Sequence, residues 1–283
     1  MVDANPDVCR GMAGRYPRAT QHTSVAGLQR DRLDCALVLT PVSESVDGHY
    51  GPVMALMEFG LPTLCEKPLS SDYGRAEEMV AAAEAAGTLL VMSVNRRFTP
   101  VYVRARQFFD GRPVRLCIAE KHGNGPVFRE PVTNSIHVLD AMRMMCGDSA
   151  QVAGWTAAQG EMTLGAAAVI RFSGGAMGCY AASRGAGAWF ERLAIHGDGR
   201  TAIVEAPHRV RMVAGGEETV YAPDAHGWLL PAGERWGFRP QLDHFLACVR
   251  GEEEPHTTAR DALASQKLAE QVRLLPEGGN RHA

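Results

Sequence analysis

Two residues have the types and surroundings for proton transfer at an oxygen atom. Lys67 stands in Glu66-Lys67-Pro68, just past the short apolar run Pro62-Thr63-Leu64-Cys65. The carboxyl end of such a strand is where open α/β sheets place ligands. An ammonium there can steady an oxygen as charge develops on it. The plainer reading is a surface lysine paired with Glu66. Pro68 beside it can hold a cis bond. His137 opens a helical stretch, roughly Ser135 to Cys146, and an imidazole can exchange a hydroxyl proton near neutral pH. Its plainer reading is a capped or core histidine. Asp140, three residues on, reads as structural.

The elements around these residues follow from the pattern of apolar runs. Cys35-Ala36-Leu37-Val38-Leu39, the run ending at Cys65 and Thr88 to Val94 read as buried strands. Between them lie helical stretches, Val53 to Phe59 closed by Gly60, and Ser71 to Ala86 closed by Gly87. Ser71 or Asp72 can cap the second. Residues 34–95 are thus a β-α-β-α-β run with a parallel sheet. After Asn95 strands are expected around 114–120, 152–157, 164–172, 176–184, 190–196, 201–205 and 209–213, several joined by glycine turns such as Ser173-Gly174-Gly175. They imply a largely antiparallel sheet with one open face. Helices at about 240–250 and 258–273 end the chain. The fold class is α/β plus α+β, with one domain over 1–95 and a second over 96–283.

Composition limits the function classes. A length of 283 residues suits two domains at roughly 150 residues each, and 46% apolar with 22% charged residues argues against disorder. The 29 Lys+Arg against 32 Asp+Glu lack the basic excess of a nucleic-acid-binding domain. No apolar run approaches the ~20 residues of a membrane span, and the start lacks a signal-peptide core, so a soluble, cytoplasmic protein is expected. Seven cysteines, odd in number and never spaced C-x-x-C, read as reduced thiols rather than a disulfide framework or zinc ribbon. The ten histidines form no ligand-like cluster, and no catalytic metal is expected.

Thr40-Pro41, Glu66-Lys67-Pro68-Leu69, Asn95-Arg96-Arg97-Phe98 and Ile136-His137-Val138-Leu139-Asp140, followed by Gly237-Phe238, Asp243-His244-Phe245 and Asp261-Ala262, resemble the Gfo/Idh/MocA family in order and spacing. The resemblance spans nearly the whole chain. It implies a Rossmann-like nucleotide-binding domain, then an open sheet that often forms the oligomer interface. It also implies hydride transfer between NAD or NADP and a sugar, cyclitol or related hydroxylated small molecule. On this resemblance Lys67 and His137 are catalytic. Asp3 binds the adenosine ribose, and Thr40, Pro41, Glu66 and Asn95 line the cofactor cleft. Arg97, His122, Thr133 and Asn134 stand at the substrate. Where the family usually has an aspartate four or three residues before the histidine, this chain has Thr133 and Asn134. An acid at Asp3 repels a 2′-phosphate and leans towards NAD. The open sheet implies a homodimer or homotetramer.

The Rossmann-like domain reads as incomplete. Val2-Asp3-Ala4-Asn5-Pro6 resembles the end of the family's second strand and Cys9 to Tyr16 the helix after it. The first strand, glycine-rich turn and first helix, about 25–30 residues, have no counterpart. Either the start lies further upstream, or the sheet carries an exposed apolar seam. In the second case the pocket would serve a cofactor-free lyase, cyclase or epimerase, or the chain would be a non-catalytic assembly subunit. Glu120-Lys121-His122 ends a strand and leads into Gly123-Asn124-Gly125-Pro126, a loop placed to line the substrate pocket, its plainer reading being a solvated turn. Arg184 and Trp189 read equally as substrate contacts or sheet edge. His226-Gly227-Trp228 and Arg235-Trp236 read as a loop anchored by tryptophans.

Overall fold

Short apolar runs flanked by helices build the first layer. In a computed structural model that describes residues 1–223 and 230–278, β1 (Ala36–Val38), β2 (Thr63–Cys65) and β3 (Leu90–Met92) form a parallel sheet in that order. α1 (Pro6–Ala13) begins behind an Asn5 cap. α2 (Tyr50–Glu58) and α3 (Tyr73–Ala86) connect the three strands and pack on each other. The Asp72 side chain accepts from the Arg75 amide to cap α3, and Gly87 closes it at φ 58°, a backbone region costly for residues with a Cβ.

The outer edge of β1 has no partner strand among the described residues, and Leu37 and Leu39 are 44% and 63% exposed there. Val2 pairs with His22 instead of joining this sheet. Leu37 and Leu39 thus form an exposed apolar pair at this edge, and residues 2–6 do not supply a strand beside it.

α4 (Pro100–Phe109) leads to the second sheet. It contains β4 (Leu116–Asn124), β5 (Val127–Phe128), β6 (Ser149–Gln159), β7 (Met162–Phe172), β8 (Met177–Ser183), β9 (Gly185–Gly197), β10 (Arg200–Glu205), β11 (Arg209–Ala214) and β12 (Glu217–Tyr221). The order is β12-β11-β10-β9-β4-β8-β7-β5, with β6 on the free side of β7. The β4–β8 pair is parallel and the other named pairs are antiparallel. Gly185-Ala186-Gly187 is already strand: β8 and β9 flank β4 rather than forming a hairpin.

One face of this sheet is covered. α5 (Glu130–Thr133) and α6 (Ile136–Cys146) lie beside β7 and β4, and α4 packs on β10 and β11. α7 (Ala232–Arg235) precedes α8 (Phe238–Val249) and α9 (Ala259–Arg273). These last two helices return to the first sheet: Phe245 of α8 packs against Leu64 and Val91, and α9 contacts α3 and β3 as well as α5 and α6. A division at residue 95 therefore separates the first sheet from two helices that cover it. The other face of the second sheet exposes Trp155, Val169 and Met177. Strand alternation sorts β4 between the two faces: Cys117, Ala119 and Lys121 are buried, and Glu120 and His122 point the other way.

Candidate active site

The loop after β2 is held from several sides. The Glu66 amide donates to the Val38 carbonyl at 2.9 Å. The Lys67–Pro68 peptide is cis. Gln266 of α9 accepts from the Leu69 amide at 3.1 Å and donates to the Ser70 carbonyl at 2.7 Å. His49, buried at the head of α2, places its two ring nitrogens 2.7 Å from the carbonyl oxygens of Pro68 and Thr40. These contacts tie the ends of β1 and β2 to helices on both sides. From this loop Lys67 Nζ donates to the carbonyl of Thr133 at 2.6 Å.

Thr133 ends α5, four residues before His137. The turn between is fixed by Glu130, fully buried, whose carboxylate accepts from Asn134 Nδ2 (2.9 Å), Ser135 Oγ (2.6 Å) and Tyr180 OH (3.1 Å). His137 follows on the first turn of α6, and its Nδ1 is enclosed without a hydrogen-bond partner. Burial, with the charges of Arg96, Lys121 and Lys67, pushes this imidazole well below the usual histidine range, so it is neutral at pH 7. Burial also lowers Lys67, opposed by Glu66 and reinforced by Lys121 and Arg96, to about 8.

Behind these two groups lies a buried ionic cluster. Lys121 of β4 stands opposite Glu191 of β9 in the sheet register, and its Nζ lies 2.7 Å from Glu191 Oε2. Arg96 clasps the same carboxylate with Nε at 2.6 Å and Nη2 at 3.0 Å, and Tyr102 OH donates to it at 3.0 Å. Burial alone would raise the Glu191 carboxyl, but Lys121 and Arg96 outweigh it and hold the group well below the carboxylate range. The Arg96 guanidinium stacks 4.5 Å from the Trp236 ring centre, and Trp189 meets Trp236 edge-on at 5.5 Å.

The residues expected at the site divide accordingly. Thr40 and Pro41 lie exposed just past β1, and Glu66 accepts from Ser93 Oγ at 2.9 Å and from the Lys67 amide at 3.1 Å. Asn95 is buried with its amide spent on the Trp236 carbonyl and Arg96. Asp3 accepts from the Asn5 amide, and no described contact joins it to the strand ends. Arg97 is paired with Asp140 (2.7 Å) and Asp261 (2.8 Å) beside a cavity of about 310 Å³. His122 stacks on Phe190 on the other sheet face. Thr133 holds Lys67 through its carbonyl while its hydroxyl donates to the Phe128 carbonyl at 2.6 Å, and Asn134 bonds Glu130. Arg184 donates to the Gly125 carbonyl at 3.0 Å. His226-Gly227-Trp228 lies outside the described residues.

Sequence reasoning gives Glu191 and Arg96 no role of their own and sets Lys121 before a solvated turn, whereas Lys121 is buried within β4. Two signals could have found them: the period-2 alternation of β4, which puts Lys121 rather than His122 on the covered face, and the same alternation in β9, which puts Glu191 on the buried side with Leu193 and Ile195. All seven cysteines are free thiols, with Cys9, Cys65, Cys117 and Cys146 buried. Among the described residues no helix is long and apolar enough to cross a membrane, and no group of His, Cys, Asp and Glu is arranged to hold a metal.

Residues 15–94 match the family model described as oxidoreductase family, NAD-binding Rossmann fold, and residues 121–274 match its C-terminal alpha/beta domain. The chain is 37% identical over 105 residues to myo-inositol dehydrogenase Hyg17 of Streptomyces leeuwenhoekii, a match covering 37% of this chain and 31% of that protein. It is 25% identical over 289 residues to D-apiose dehydrogenase of Paraburkholderia graminis, covering 89% of this chain and 76% of that protein. A crystal structure of an oxidoreductase from Agrobacterium radiobacter in complex with NAD+, L-tartaric acid and magnesium superposes with a TM-score of 0.81 at 18% identity, over 95% of this chain and 85% of that one, which shows the shared fold.

Proposed function

The chain belongs to the Gfo/Idh/MocA oxidoreductase family, and from that premise we propose that it transfers a hydride between NAD or NADP and a hydroxylated small molecule, a sugar, cyclitol or relative. The observation that carries this reading is the link from Lys67 through the Thr133 carbonyl to the turn that starts α6 at His137. It sets a lysine brought down to about 8 beside a neutral imidazole, two groups with complementary tasks at one oxygen.

In alcohol oxidation the neutral imidazole takes the hydroxyl proton. Nδ1 is enclosed, so the exchange runs at Nε2. The Lys67 ammonium stabilises the oxygen as it gains charge, and the Thr133 carbonyl holds that ammonium in place. In carbonyl reduction the same groups act in reverse. A nicotinamide bound at the strand ends supplies the hydride acceptor or donor. Thr40, Pro41, Glu66 and Lys67 at the carboxyl ends of β1 and β2 fit that ring, with Thr40 and Pro41 open to it. Among the described residues no glycine-rich turn opens a helix to hold the pyrophosphate. Assembly into a dimer or tetramer through the open sheet face goes with this reading, because that face exposes Trp155, Val169 and Met177.

The test is a titration with NADH and NADPH, following tryptophan quenching and energy transfer to the nicotinamide. Saturable micromolar binding is expected. No binding up to millimolar in a folded sample would overturn the reading.

A further inference from the structure

Of the 29 Lys and Arg residues in the chain only Lys67, Lys121 and Lys267 are lysines. Their surroundings differ. Lys121 is buried and ion-paired with Glu191, and Lys267 is exposed on α9. Lys67 is partly exposed, and among the described residues no carboxylate pairs with its Nζ, whose hydrogen bond goes to the neutral Thr133 carbonyl. The neighbouring Glu66 carboxylate is spent on the Lys67 backbone amide and Ser93 Oγ, and Glu130 on Asn134, Ser135 and Tyr180. The cations Lys121 and Arg96 face Lys67 from β4 and from the segment after β3, with the His137 imidazole on α6. A lysine amine becomes a nucleophile near neutral pH when it is desolvated or set beside other cations. Both conditions hold here: burial, opposed by Glu66 and Glu130 and reinforced by Lys121 and Arg96, brings Lys67 to about 8.

From these surroundings we propose that Lys67 is also a covalent site, forming an imine with a small hydroxylated aldehyde such as the open-chain form of a short sugar. The Nζ lone pair attacks the carbonyl carbon and a C–N bond forms. The two protons of the amine pass to the former carbonyl oxygen, which leaves as water while the C=N bond closes. One amine and one aldehyde thus give one imine and one water, with nothing oxidised or reduced. A neutral amine keeps two N–H groups, so one still donates to the Thr133 carbonyl while the lone pair is free to react. The choice of a hydroxylated aldehyde rests on the hydride-transfer reading above, in which the oxidised substrate presents its carbonyl to Lys67. The nucleophilic character of Lys67 does not depend on that reading.

The experiment incubates the whole chain with glyceraldehyde and sodium cyanoborohydride, which reduces the imine to a stable secondary amine, and maps the adducts by peptide mass spectrometry across a range of pH. At pH 7.5 Lys67 is expected to be labelled about 10- to 100-fold faster than the exposed Lys267, its larger fraction of free amine being partly offset by the lower reactivity of a weaker base. That ratio should fall as pH rises from about 8 towards the ordinary lysine value of 10.5, because Lys67 is by then fully deprotonated while Lys267 is still losing its proton. The α-amine of Met1 is read separately in its own peptide. The comparison is made within one wild-type protein, so no variant has to fold. Labelling of Lys67 no faster than that of Lys267 at pH 7.5, or a ratio that does not fall above pH 8, would overturn the proposal. An adduct at Lys67 in a chain that binds no nicotinamide would remove the hydride-transfer reading and leave this one. Nicotinamide turnover without an adduct at Lys67 would do the reverse.

Discussion

The ammonium of Lys67 reaches across from the first sheet to the carbonyl of Thr133, 2.6 Å away, at the end of the turn that delivers His137. One hydrogen bond thus couples the loop after β2 to the start of α6. The proposed acid–base chemistry would depend on that coupling, and both Lys67 and His137 are displaced from their ordinary titration ranges.

Replacing His137 by Asn should lower kcat by ~10²- to 10⁴-fold while changing KM much less, because the imidazole moves a proton rather than anchoring the substrate. Steady-state kinetics on a sample with wild-type circular dichroism measures this. A variant with normal kcat removes His137 from the reaction.

Alcohol oxidation, which uses the neutral imidazole and the charged ammonium together, should slow as pH rises through about 8, where Lys67 loses its proton. Lys67→Arg stays charged throughout and should lack that falling limb, whatever its absolute rate. His137 titrates well below 6.5, so the acid limb of alcohol oxidation should lie below that value. The pH dependence of kcat/KM in both directions reads each point.

Lys67→Met should stabilise the fold at pH 7 by about 1–3 kcal/mol. The sign follows from the titration. The folded value of about 8 lies below the ordinary 10.5, so the folded state binds fewer protons than the unfolded between them, and wild-type stability rises with pH across that window. The variant lacks the buried charge, so its advantage is full below pH 8 and shrinks towards 10.5. Urea unfolding at pH 7 and pH 9.5 would show a constant difference if burial of Lys67 were neutral.

Glu191→Leu should destabilise by about 3–5 kcal/mol at pH 7, because Arg96 and Lys121 would be left buried with their shared carboxylate gone. The Glu191 carboxyl is held well below its ordinary 4.5, so its contribution is complete above that value and is lost as pH falls through the folded value. The gap between wild type and variant should therefore narrow on acidification. A gap independent of pH would mean that packing, not charge, sets the loss.

Much of this arrangement was legible from residue order. The three parallel strands, α3 with its Asp72 cap and Gly87 end, and α9 lie within a few residues of where the apolar spacing places them. α4 was not anticipated, although Val101, Tyr102, Ala105 and Phe109 share its buried side, because Arg104, Arg106 and Gln107 break the apolar run. β12 was missed because Glu217, Glu218 and Thr219 make an exposed edge strand with no core face to mark it. At the site, Lys67 and His137 were singled out by residue type and position, and the Lys67–Thr133 hydrogen bond ties the two segments that carry them. Lys121 and Glu191 depend on a cross-strand register fixed only when β9 settles beside β4, which places them together from 70 residues apart. The pairing of Arg97 with Asp140 and the strand parity that sets His122 on the opposite face from Lys121 are likewise tertiary facts.

The most direct measurement follows the absorbance of reduced nicotinamide in wild type and Lys67→Met, with polyols, cyclitols and sugar acids offered as substrates. The account predicts nicotinamide reduction by wild type with at least one of these classes, and a loss of ~10²-fold or more in Lys67→Met. Product formed with the nicotinamide unchanged, or a Lys67→Met variant reducing it at the wild-type rate, would contradict it.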